Sequence, residues 1–196
     1  MAAQKSGKAP KKSGTDWRWI ITIFVITVCI SAVMSLISTN LLANATLGVS
    51  FVILISIIAI GIVFDIIGVA VTAADEKPFH SMASRKVPEA TQALKLIRNA
   101  GRVSSFCNDV IGDICGVISG SAAATIAARV LAMHPGMREI VLTLAMSALA
   151  AGLTVGGKAC GKSFAIDSST SVVRTAAMVL HFFHTIPEKL RPKRRR

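Results

Sequence analysis

The sequence predicts an all-α integral membrane protein: about four transmembrane helices, short juxtamembrane helices and a C-terminal interfacial helix. Three observations carry this. Of 196 residues, 53 % are hydrophobic and only 16 % are Asp, Glu, Lys or Arg, against about 25 % charged in a typical soluble domain. No side chain from Trp19 to Phe64 is ionised, and a bilayer core needs only about 20 apolar residues per crossing. The remaining charge is strongly basic, 22 Lys and Arg against 10 Asp and Glu, and is gathered at the termini and in one internal segment. A secreted disulfide scaffold is excluded, because the four cysteines at 29, 107, 115 and 160 are sparse and lie mostly in apolar runs.

The first 16 residues form a basic tail, with Lys5, Lys8, Lys11 and Lys12, too polar to order itself. Helix one runs from about Trp17 to Thr39. Trp17 and Trp19 flank Arg18 at its start, where an amphipathic indole suits the headgroup layer. The run is longer than a signal-peptide core and is read as a retained span. Asn40, Asn44, Thr46 and Gly48 make a tight turn. Helix two follows, from about Leu47 to Ala74. Its many β-branched residues would favour a strand in water, but in lipid the backbone must satisfy itself within a helix or closed barrel, and strict alternation is absent.

The segment 75–102 is polar, with Lys77, Arg85, Lys86, Lys95, Arg98 and Arg102. Pro88 and Glu89 open an amphipathic helix along Ala90, Ala93, Leu94 and Ile97, which stops at Asn99-Ala100-Gly101. A shorter piece precedes it around Phe79 to Ser84. Helix three spans about Val103 to Leu131, the turn lies at 133–138, and helix four runs from Glu139 to about Val155. Gly156-Gly157-Lys158 is expected to break it. The last apolar segment, Phe164 to Ile186, divides an apolar side from one bearing Asp167, Ser171, Arg174, Met178 and His181, so it lies in the interface plane more readily than it crosses. A basic tail, 187–196, closes the sequence.

Orientation follows from the Lys and Arg distribution. With the N-terminus cytoplasmic, the segment 75–102, Lys158, Lys162 and both tails fall inside, and only Arg129 and Arg138 lie outside. That satisfies the positive-inside rule and predicts an inner-membrane protein with both termini cytoplasmic. The tails suit anionic lipid, or a cytoplasmic protein partner, better than nucleic acid, because they bring no fold and no aromatic interleaving.

Acids inside spans need a reason, since an ionised group at the bilayer centre costs at least about 2.5–3.5 kcal/mol on insertion scales. Asp65 lies in helix two; Asn108, Asp109 and Asp113 lie in helix three. Asp109 and Asp113 are four apart, hence on one helical face. Such oxygens could coordinate a hard cation such as Mg²⁺, line a wet crevice, relay protons, or pair with Arg102, Lys158 or Lys162. Beside them, Gly112, Gly116 and Gly120 repeat every fourth residue, and Ala148, Gly152 and Gly156 repeat likewise on helix four. Such ladders let helices approach closely, so helices three and four are expected to cross there.

The string 156–163 matches G-x-x-x-x-G-K-S, but a phosphate-binding loop follows a buried strand and opens a helix, and here a membrane helix precedes it. His181 and His184 are three apart on an amphipathic helix, and no CxxC pair or nucleophile–base set stands out. No enzymatic activity is expected.

The run Ala93-Leu94-Lys95-Leu96-Ile97 through Asn99, Arg102 and Ser105, together with the order of elements, resembles the transmembrane domain of CNNM/CorC-type magnesium transport proteins. The resemblance covers about residues 50 to 185; helix one is an extra span over 17–45, and 46–186 form the similar domain. It implies a homodimer that binds Mg²⁺ between its spans, with Asp65, Asn108, Asp109 and Asp113 contributing oxygens. Where the family shows Gly-Glu and then Pro-Lys after its third span, Gly156-Gly157-Lys158 and Gly161-Lys162 stand here. The family's cytosolic CBS pair has no counterpart up to Arg196.

Overall fold

Hydropathy and helix length together fix the architecture. The computed structural model describes residues 17–134, 136 and 138–190. It contains α1 (Trp17–Asn44), α2 (Leu47–Ala73), α3 (Lys77–Ser84), α4 (Ala90–Arg98), α5 (Ala100–Ser105), a π-helical segment (Phe106–Gly112), α6 (Asp113–Met133), α7 (Glu139–Asp167) and α8 (Ser169–Leu190). No strand occurs among the described residues. Four helical runs are long and apolar enough to cross a membrane: α1, α2, the continuous run Ala100–Met133, and α7. The protein is a multi-pass all-α membrane protein.

Hydroxyls within these spans are satisfied locally. Ser50, Ser56, Thr125 and Thr154 each donate to the carbonyl four residues back, at 2.8 to 3.1 Å, the usual way a helix in lipid disposes of a hydroxyl.

Helix α2 lies at the centre. One core layer joins Leu42, Leu54, Ile58, Ala122, Ala123, Ile126 and Ala150. A second joins Ile57 to Val110, Ile114, Cys115 and Ile118, with Ile23, Ile30 and Met34 of α1 packed against it. Those three side chains and Leu42 form the narrow apolar seam by which α1 is held. Much of α1, including Trp17, Phe24 and Leu36, is exposed, as suits a helix surrounded by lipid.

A third layer builds one end of the molecule. Ala70 and Val71 at the end of α2 meet Phe79 of α3, Ala93 of α4, Ala165 of α7, and Val173 and Ala177 of α8. Helix α8 is thus amphipathic and docked on α4 and α2, and is not among the four candidate spans. Ion pairs tie this end together: Arg174 to Glu89 at 3.6 Å and Arg98 to Glu76 at 3.6 Å. Helix α3 closes in a Schellman turn. Lys86 N–H donates to the Ala83 carbonyl and Val87 N–H to that of Met82, with Lys86 at φ 58°, a conformation normally given to glycine.

At the opposite end, Arg129 of α6 donates to the carbonyls of Leu42, Ala43 and Ala45 and to Ser50 Oγ. These carbonyls terminate α1, where the helix dipole favours a cation.

Three boundaries differ from the sequence reading. Helix α7 does not break at Gly156-Gly157-Lys158 but continues to Asp167. Its glycines are held against α2, so tertiary contact overrides their poor helix propensity. Helix α1 continues to Asn44, through the expected turn. Helix α8 reaches Leu190, so 187–190 are helical. The basic tails at 1–16 and 191–196 lie outside the described residues.

Candidate functional site

The polar residues singled out inside the spans have different surroundings. Asp65 of α2 faces Lys158 of α7, Oδ1 to Nζ 3.6 Å, and both side chains are largely shielded. The ammonium reaches this position over Gly112, where a Cβ would stand 3.2 Å from Nζ. Gly112 therefore makes room for the lysine. Asp65 is about 12 Å from the end of α2 at 1.5 Å per residue, deep enough that an unpaired carboxylate would be costly.

Asn108 sits on the π-helical segment. Its Nδ2 donates to Ser104 Oγ at 3.3 Å. Its Oδ1 is buried and accepts no hydrogen bond. The amide lies against Gly68 of α2, where a Cβ would collide with it. A π-helical stretch displaces side chains from the α-helical register and is frequent at functional sites; here it carries Asn108 and Asp109.

Asp109 and Asp113 are exposed. Neither belongs to an ion pair seen among the described residues. Asp65 lies instead between α2 and α7, against Lys158. Among the described residues no three His, Cys, Asp or Glu side chains gather as a metal's ligands would. The set Asp65, Asn108, Asp109 and Asp113 is thus divided: a lysine neutralises the first, Gly68 backs the second, and the two others are exposed.

The glycine ladders are also redistributed. Gly116, Gly120, Gly152 and Gly156 all face open space, and Ala148 is exposed. Helices α6 and α7 meet instead through Ala122, Ala123 and Ile126 against Ala150. The close approaches involve glycines that the spacing did not select. A Cβ on Gly61 would stand 2.9 Å from Cys115 Cβ, one on Gly161 2.7 Å from Ile66 Cγ1, and one on Gly157 would collide with Ile62. The signal was present: Gly157 and Gly161 form their own i, i+4 pair, one residue out of phase with Gly152 and Gly156.

No protein-family model, curated protein or solved structure matches this chain.

The phosphate-loop string ends the same way. Residues 156–163 are α-helical within α7, so their N–H groups are committed to helix hydrogen bonds and cannot cradle a phosphate. All four cysteines are free; Cys107 and Cys115 are buried in the core of the third span, and Cys29 and Cys160 are exposed on lipid-embedded helices.

Proposed function

We propose that the protein is a non-transporting scaffold or interaction protein of the inner, cytoplasmic membrane, with both termini in the cytoplasm. The observation that carries this reading is the Asp65–Lys158 pair. The one shielded carboxylate of the spans is already neutralised by an internal ammonium. A divalent cation arriving there would have to displace Lys158 and would meet its positive charge. The pair locks α2 to α7 and serves cohesion in place of passage.

The orientation is supported by the two ends. Trp19 lies under the Arg102 guanidinium, 4.9 Å from the ring centroid, so the start of α1 lies beside the start of the third span. Helices α3, α4 and α8 pack at this end with Lys77, Arg85, Lys86, Lys95, Arg98 and Arg174. The other end offers Arg129 and Arg138. The basic end is the cytoplasmic one by the positive-inside rule, and its tails would recruit anionic lipid or a cytoplasmic protein.

A second reading, a divergent Mg²⁺ transport protein, is favoured by the unpartnered Asn108 Oδ1 and by the exposed pair Asp109 and Asp113. Thermal melting in detergent, with and without Mg²⁺, separates the two. The scaffold reading expects the wild-type midpoint to be unmoved by Mg²⁺, and Lys158→Met to melt lower because Asp65 loses its counter-charge. The transport reading expects Mg²⁺ to raise the wild-type midpoint and Asp109→Asn/Asp113→Asn to abolish the rise. A wild-type rise lost in that double variant would end the scaffold proposal.

A further inference from the structure

Where α1 leaves the bundle at the basic end, an apolar groove of ≈ 1010 Å³ opens between α1, α2, the third span and α8. Ile23 of α1, Ile66 of α2, Phe106 of the π segment and Val179 of α8 are among its walls. The volume is at the upper end of about 300–1,000 Å³ that small-molecule sites occupy. Water would gain almost no hydrogen bonds along such walls, so a hydrocarbon occupant is favoured.

Arg102 stands at the rim as the charged residue of the lining. It has no carboxylate partner among the described residues, and the Trp19 ring holds its guanidinium by one face. The N–H edges remain available, and a guanidinium edge matches a phosphate in geometry and charge. Trp19 itself marks the headgroup level. Hydrocarbon walls below a single cation at the headgroup layer complement one kind of molecule, an amphiphile with an anionic head. The protein's own tails do not fit: residues 1–12 carry four lysines and no acid.

We propose that this groove holds an anionic phospholipid of the cytoplasmic leaflet, its acyl chain along Ile23, Ile66 and Phe106 and its phosphate on Arg102. The lipid fills the gap between α1 and α8 and so fastens the N-terminal half of the first span, where Ile23, Ile30 and the Trp19–Arg102 contact otherwise hold it.

The test uses the full chain in detergent micelles, with phosphatidylglycerol or phosphatidylcholine added. Native mass spectrometry and the melting midpoint are read together. Phosphatidylglycerol is expected to bind about fivefold more tightly, the preference one surface-level cation supplies, and to raise the midpoint more than phosphatidylcholine does. Arg102→Gln should remove that preference while some lipid remains bound. Ala176→Phe, which fills the groove from α8, should remove both lipid adducts while leaving the helical circular dichroism unchanged. Equal binding of the two lipids by the wild-type protein overturns the anionic site. Full lipid occupancy in Ala176→Phe overturns the groove as its location.

Discussion

On one side of α7, Gly157 and Gly161 lie against Ile62 and Ile66 of α2; on the adjoining side, Gly152 and Gly156 border a shallow apolar groove and touch nothing. The two pairs have the same spacing and the same composition, offset by five residues and so by about 140° around the helix. One pair lets α7 approach α2 closely enough for Lys158 to reach Asp65. The other is lipid-facing surface. Small-xxx-small spacing therefore says that a close approach is permitted, not that one occurs.

The largest effect that tests this contrast is Gly161→Leu. The side chain would enter space held by Ile66, and overpacking of this kind costs about 3 kcal/mol. A large drop in the melting midpoint in detergent is expected, with Gly156→Leu nearly unchanged. Equal losses from both would show that the side of α7 does not matter.

A smaller effect is expected at Arg129, where polar anchoring stands in for close fit. Arg129→Met removes a charged donor from the carbonyls of Leu42, Ala43 and Ala45, of which Leu42 keeps the Ala45 N–H. Losing charge-assisted hydrogen bonds costs about 2 kcal/mol. Cysteine labelling at 41–45 should speed up as the end of α1 loosens, with the midpoint falling less than in Gly161→Leu.

The smallest effect, and of opposite sign, belongs outside the membrane. Lys86→Gly relieves the left-handed backbone at φ 58°, where a side chain costs about 1 kcal/mol. A slight rise in midpoint is expected. If Lys86→Gly lowers it, the lysine side chain contributes something other than a turn.

Much of the layout was legible before the structure. The four spans, the amphipathic pieces at 77–98 and the amphipathic character of α8 follow from hydropathy and from the 3.6-residue period, which depend on each segment alone. Lys158 was already among the candidate partners for the intramembrane acids. The division of the site was not legible. Asp65, Asn108, Asp109 and Asp113 look like one set along the chain, but the π-helical stretch at Phe106–Gly112 and the rotation of each helix about its axis decide which of them face inward. Arg129 is similar: one cation near an apolar helix's end has a ready role, but only the fold shows that the carbonyls it meets are those of α1.

The sequence by itself determined how many helices can cross and which end is basic, because lipid leaves an apolar backbone no alternative to closing its own hydrogen bonds. Tertiary structure alone decided which glycines are filled and which are bare, that Lys158 meets Asp65, and that α7 passes straight through Gly156-Gly157. Those outcomes depend on the mutual rotation of packed helices, a property of pairs of segments that no single segment encodes.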